Sequence, residues 1–214
     1  MSNSNIGGRF WKEIAMDMLA ERYRPHFQNL AEELHDALLA RELEIRHQPA
    51  PNNSHYSRAS NPSIAYEKIV DDAVALMRSD YASLQMLFPE RGRGGELRLL
   101  AFRGFNPEAA KFWEWVNADS KCTCGVALRI AQRVVAPDLA TCDFLGDSED
   151  RATYLQSGIR ACQTTPLFGH AGSVVGMIST HWRLPHQPSE EDFYQFDILA
   201  RQAADLIESS MLKA

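Results

Sequence analysis

The sequence predicts an α+β fold, a central antiparallel sheet covered by helices, with a helical extension at the N-terminal side. Three observations carry this. Strand-length runs at 81–88 with 96–103, and at 159–168 with 173–182, are joined by glycine-bearing turns, as in hairpins. Asn61-Pro62 and Asn106-Pro107 each place a capping residue before a proline, the signature of a helix start. A long apolar stripe follows Ser189. Hairpin-joined strands with helices at both ends imply a sheet with helices packed on it rather than a bundle or a parallel α/β fold.

Taken in order, residues 9–47 read as helix. Phe10, Ile14, Met18 and Leu19 recur at helical spacing, as do Leu30, Leu34, Ala37, Leu38 and Leu39, and Pro25 fits the opening turn of a second helix. Such a pair cannot bury its own faces and needs a partner subunit or the main domain. Residues 48–62 lack periodicity and are rich in turn formers, which marks a linker. The remainder, 63–214, forms the principal domain. Its first helix runs to about Arg78, with Ile64, Val70, Ala73, Val74 and Met77 on the buried face. After the first hairpin, whose loop holds Gly92, Gly94 and Gly95, a helix extends from Pro107 through Trp115. Residues 124–132 form a short helix leading into a Val134–Val135 strand, and 137–150 are acidic and irregular. A further short helix reaches Gln156, and the second hairpin turns about Gly169-His170-Ala171-Gly172. Ser189, followed by Glu190, Glu191 and Asp192, caps the closing helix. Phe193, Phe196, Leu199, Ala200, Ala203, Leu206 and Ile207 form its buried stripe.

The 214 residues carry a net charge of −6. No Lys/Arg cluster follows one face, which argues against a nucleic-acid groove or a polybasic membrane anchor. No apolar run approaches the roughly 20 residues of a membrane span. The opening Met-Ser-Asn-Ser-Asn has neither a basic nor an apolar leader segment, so a cytoplasmic location is expected. There Cys122, Cys124, Cys142 and Cys162 are expected as thiols rather than disulfides.

The string Gly158-Ile159-Arg160-Ala161-Cys162-Gln163-Thr164-Thr165-Pro166-Leu167, then a glycine turn and Val175-Gly176-Met177-Ile178-Ser179-Thr180-His181, resembles the paired strands of a GAF domain. Cys124-Gly125-Val126-Ala127-Leu128 with Val134, Val135 and Asp138 resembles the middle section of that family, and Leu199-Ala200-Arg201-Gln202-Ala203-Ala204 its closing helix. The resemblance covers about 61–210. It implies a sensory module that holds a small molecule between sheet and overlying helices and relays its state through terminal helices to a partner such as a histidine kinase. Because one fold hosts many ligands, it leaves both ligand and cofactor unidentified.

Alternate strand residues share a face, so Cys162 and Thr164 point one way, as do Met177, Ser179 and His181 on the neighbouring strand. In phytochrome-like relatives the positions that resemble Cys162, Thr164 and His181 line the chromophore cavity. Cys124, Cys162, Thr164, Ser179 and His181 are therefore the expected ligand-binding residues. The competing reading is a filled core in which these side chains bond to neighbouring backbone. No Asp-Ile-Pro-type segment or Cys-His attachment pair is present, which argues against a bilin, and His170 and His181 show no haem setting.

The alternative chemistry is thiol-based. Some GAF proteins reduce free methionine sulfoxide with loop cysteines, and Cys122, Cys124 and Cys142 fall in the corresponding region with a different spacing. A helix start would lower the pKa of Cys124. No Cys-x-x-Cys pair exists for zinc, and no metal ligands are assigned. No catalytic serine triad or carboxylate pair emerges. His35-Asp36 only faintly resembles a phosphoacceptor pair, and Arg91-Gly92-Arg93-Gly94-Gly95 lacks the ending of a phosphate loop. The apolar stripes of 9–47 and 189–212 are expected to form a homodimer bundle.

Overall fold

The computed structural model describes residues 62–212. The 1–47 extension, the linker short of Pro62, and His35-Asp36 lie outside the described residues. Helix α1 (Pro62–Met77) opens on its proline and buries Tyr66, Ile69, Val70, Ala73 and Met77. Ile64, expected on this face, is instead exposed. Strand β1 (Tyr81–Phe88) pairs with β2 (Glu96–Arg103). Helix α2 (Pro107–Phe112) is capped by Asn106, whose side chain accepts from Ala109 N.

The expected run of α2 through Trp115 is corrected. The helix stops at Phe112, and Trp115–Asn117 form β3, antiparallel to β2 with Glu96 facing Asn117. Trp113 leaves helical geometry at φ −96° and ψ 19°, and Leu99 N donates to Glu114 O at 3.0 Å. The pairing partner in β2 lies far back in the chain, so no local periodicity announces so short a strand.

Helix α3 (Thr123–Ile130), strand β4 (Val134–Ala136), a single 3-10 turn (Asp143–Leu145) and α4 (Glu149–Gln156) follow. Strands β5 (Ala161–Phe168) and β6 (Val174–Trp182) form the second hairpin. Helix α5 (Glu190–Met211) closes the domain through a complete capping box between Ser189 and Asp192. Its expected stripe is buried, apart from Leu206, which is partly covered.

The six strands lie in the order β3-β2-β1-β6-β5-β4, and every neighbouring pair is antiparallel. The two hairpins therefore meet along β1 and β6 at the centre of the sheet. One face carries Ala82, Leu84, Ile178 and Trp182 and is covered by α1 and α5. The other carries Tyr81, Cys162 and Met177 and is covered by α2, α3, α4 and their loops. Because both faces are covered, β1, β5 and β6 are buried almost throughout. That double burial explains why these strands do not alternate between apolar and exposed polar residues.

Candidate functional site

The face under α2, α3 and α4 has an unusually polar centre. Register places His181 beside Tyr81 on β1 and Cys162 on β5, and Ser179 beside Ser83 and Thr164. Side chains alternate, so Tyr81, Ser83 and Gln85 of β1 share this face with Met177, Ser179 and His181 of β6 and with Cys162 and Thr164 of β5. Helix α3 lies over them. Its cap Cys122 is extended, so the chain enters the helix with Thr123 and Cys124 turned down onto the strands. Gly125 makes that approach possible: a Cβ there would stand 2.4 Å from Ser120 O and 2.8 Å from Asn117 O.

Cys124 Sγ lies 3.3 Å from Ser179 Oγ and 3.6 Å from Thr164 Oγ1. Thr164 Oγ1 donates to Thr123 Oγ1 at 2.8 Å and is 2.8 Å from Ser179 Oγ. The Tyr154 hydroxyl reaches Thr123 Oγ1 at 3.4 Å. A thiol here meets several groups able to donate to a sulfur anion. Hydrogen bonding from Cys122 and then from Ser179 and Thr164 outweighs the cost of burial, and the Cys124 pKa falls to about 7. Cys122 moves the opposite way, well above the usual thiol range, because it gives its hydrogen bond to Cys124 and is itself buried. Burial likewise raises Cys162 and, to a lesser extent, the half-buried Cys142.

Beside this network is a small cavity lined by Gln85, Phe105, Trp113, Cys122, Cys124, Tyr154 and His181, among others. About 10 Å³ of it is open to the centre of a water molecule, room for a single water. Its aromatic cover is continuous: Trp113 packs on Tyr154 with ring centres 4.6 Å apart, and Phe105 sits 5.5 Å from Trp113 and 5.4 Å from His181. Trp113 Nε1 donates to Asp150 Oδ1 at 3.0 Å, and Lys121 N donates to Asp150 Oδ2 at 2.9 Å, which fastens α4 over the site.

His181 is 2% exposed, and neither ring nitrogen has a hydrogen-bond partner among the described residues. Gln85 Oε1 is likewise buried without one. Burial drives the His181 pKa down to about 3, so the ring is neutral at physiological pH and offers one donor and one acceptor. Two buried side chains with unused hydrogen-bonding atoms around one cavity are costly for a purely structural core. With His181 neutral, Cys124 is the one lining residue that ionises near pH 7, to an anion, so the cavity disfavours anions and suits an uncharged species.

All five residues expected at the ligand site converge on this face: Cys124, Thr164 and Ser179 in one hydrogen-bonded group, Cys162 and His181 as cross-strand neighbours beside it. Of the thiol set, Cys122 and Cys124 line the cavity, whereas Cys142 caps the 3-10 turn and does not line it. Sequence reasoning missed Gln85, Phe105, Trp113 and Tyr154. A signal for Gln85 was present: with Ser83 it is a polar residue at alternate positions of an otherwise apolar strand. The aromatic cover gave none, since its members come from separate loops and helices. Among the described residues no group of three or more His, Cys, Asp or Glu is placed to hold a metal ion, and no helix is long and apolar enough to cross a membrane.

The chain is thus an α+β domain, its antiparallel sheet packed by helices on one face and roofed on the other by loops and helices over a polar cavity. The family model described as a GAF domain matches residues 59–208, and the chain belongs to the GAF family. No curated protein matches it. Among solved structures it is similar to the GAF domain of a phosphoenolpyruvate-protein phosphotransferase from Coxiella burnetii, with 17% identity, a TM-score of 0.61, and coverage of 75% of this chain and 90% of that one. It is also similar to a domain of a putative two-component sensor histidine kinase protein from Sinorhizobium meliloti 1021, with 18% identity, a TM-score of 0.57, and coverage of 71% and 93%. A third is free methionine-R-sulfoxide reductase from Neisseria meningitidis in complex with its substrate, with 16% identity, a TM-score of 0.57, and coverage of 76% and 87%. At these identities the likeness concerns the fold.

Proposed function

We propose that this chain is a sensory GAF domain that reads a small uncharged molecule in the cavity beneath Trp113 and Tyr154. The observation that carries the reading is His181, buried and neutral with both ring nitrogens unpartnered beside the equally unpartnered Gln85 Oε1. Cys124, Thr164 and Ser179 form the polar wall next to it, with Cys162 behind. A ligand larger than a water would have to lift the α2–α4 cover, whose loops make it the movable side of the site. That motion would pass through the sheet to α1 and α5 on the opposite face and so to a partner such as a second copy of the chain or a histidine kinase. The test is native mass spectrometry of protein purified from its own host, beside His181→Phe prepared the same way. A bound small molecule retained by the wild type and lost from the variant is expected. Identical bare masses, with no ligand-induced change in melting temperature across a metabolite panel, would sink the reading.

A second reading, thiol-based redox sensing, is favoured by the placement of Cys122 and Cys124 together on the cavity wall. Cys142 stands apart from this pair, and free methionine sulfoxide does not fit the cavity in this conformation. Turnover of that substrate by the wild type would restore it as a reductase.

A further inference from the structure

We propose that Cys122 and Cys124 are a peroxide-reactive dithiol, oxidised to an intramolecular disulfide by hydrogen peroxide held against His181 and Gln85. The inference rests on reading the cavity under α2–α4 as the sensing site and on the redox alternative for that site. It names the oxidant, the two sulfurs and the groups that position the reaction.

Four observations converge. The cavity has room for about one water, so hydrogen peroxide, larger by a single oxygen, needs only a slight give of the α2–α4 cover, whereas bulky oxidants are shut out. With His181 neutral, the Cys124 sulfur is the one lining group that ionises near pH 7, and it becomes negative, so the space disfavours anionic oxidants and suits a neutral one. Both thiols of a Cys-x-Cys segment line it, Cys122 at the helix cap and Cys124 in the first turn. And the two buried side chains lacking hydrogen-bond partners on this face, His181 and Gln85, line the same space. Ser179 touches the Cys124 sulfur at 3.3 Å, and His181 lies two positions along on the same face of β6, about 7 Å further on. A two-oxygen molecule between that sulfur and the imidazole has one oxygen facing each.

The chemistry balances without any further reagent. The Cys124 thiolate, stabilised by Cys122, Ser179 and Thr164, attacks the nearer peroxide oxygen. The S–O bond forms as the O–O bond breaks, and the departing oxygen leaves as hydroxide, which takes the proton given up by the thiol and becomes water. The imidazole N–H donates a hydrogen bond to that departing oxygen, and Gln85 Oε1 accepts one from the peroxide O–H. Cys124 is then a sulfenic acid. The Cys122 thiol attacks its sulfur, the S–S bond forms, and a second water leaves. Two thiols are oxidised and one peroxide is reduced to two waters. A disulfide across the first turn of α3 turns the Cys124 sulfur from an anionic acceptor of the Thr164 and Ser179 hydroxyls into a weak neutral one, so oxidation loosens the N-terminus of α3 on the sheet.

The experiment treats the whole native protein with hydrogen peroxide at pH 7, then denatures it, blocks free thiols and maps masses by peptide. The expected product is a Cys122–Cys124 disulfide, seen as loss of two hydrogens from the peptide that contains both. It forms roughly tenfold faster than oxidation of free cysteine, from the larger thiolate fraction at pH 7. Cumene hydroperoxide, too large for the cavity, is expected to react far more slowly. Cys122→Ser should stop at a sulfenic acid on Cys124 that dimedone traps, and Cys142→Ser should leave the reaction unchanged. Oxidation appearing first at the more exposed Cys142, or equal rates with the two peroxides, would overturn the proposal. If the pair stays reduced while the wild type retains a ligand that His181→Phe loses, the dithiol proposal falls and the sensing-site reading stands.

Discussion

Replacing Thr164 by Val exposes the logic of the buried polar centre. The shape of the side chain is nearly kept, and a hydroxyl that touches three partners is lost: Thr123 Oγ1 at 2.8 Å, Ser179 Oγ at 2.8 Å and Cys124 Sγ at 3.6 Å. All of them are buried, so water cannot take the vacated place. Leaving a buried donor or acceptor unsatisfied costs about 1–3 kcal/mol. Ser179 keeps Cys124 and Thr123 keeps Tyr154 as second partners, which places the expected loss in the lower half, about 1–2 kcal/mol. For a domain of this size that is roughly 2–8 °C in melting temperature. Urea unfolding at pH 7, with an unchanged slope, measures it. The same substitution removes one of the groups that favours the Cys124 thiolate, so its pKa must rise from about 7. Thiolate absorbance against pH reads that second effect. A variant as stable as the wild type, with an unmoved thiol titration, would refute the idea that these hydroxyls form one interdependent group.

Other substitutions probe separate parts of the domain. Because burial holds His181 at about pKa 3 against an ordinary 6.5, the folded state takes up fewer protons than the unfolded chain between those values. Its contribution is therefore complete above pH 6.5 and lost as pH falls toward 3, at about 1 kcal/mol per pH unit. Urea midpoints at pH 7 and pH 5 should fall in the wild type and fall less in His181→Phe; parallel declines would contradict a neutral buried ring. Gly125→Ala puts a Cβ against Ser120 O and Asn117 O, and overpacking of this kind costs about 1–3 kcal/mol. It should also displace Cys124 and slow peroxide oxidation, and an unaltered melting temperature would argue that the first turn of α3 has slack. Glu208→Gln weakens the contacts that tie the β5–β6 turn to α5 through the His170 ring and backbone N–H. The expected result is faster hydrogen exchange at His170 N with little change in global stability, since the pair is solvent-exposed; unchanged exchange would show that the turn is held by other contacts.

Legibility in the sequence followed the range of the interactions involved. The proline start of α1, the cap-plus-proline start of α2, the capping box of α5 and both hairpins are local features, set by residues within a few positions of one another, and the structure has them. Strand β3 was illegible because its three residues become a strand only through bonds to Glu96, Leu97 and Arg98. Ile64 is exposed because it stands on the far side of α1 from the buried stripe of Ala65, Tyr66, Ile69, Val70, Ala73 and Met77, about 140° around the helix from Ile69.

The sequence by itself determined that Cys162 with Thr164, and Met177 with Ser179 and His181, would share strand faces, since side-chain alternation is a property of any extended chain. It also set a thiol near a helix start at Cys124. Only the tertiary structure decided that Cys122 and Cys124 come down onto those strands, because that placement depends on Gly125 fitting against the Asn117–Ser120 turn. Only packing from three separate segments closed Phe105, Trp113 and Tyr154 over His181. And only their three-dimensional surroundings, in which no described residue offers a partner, turned an ordinary strand histidine and glutamine into two unpartnered polar groups facing one small cavity.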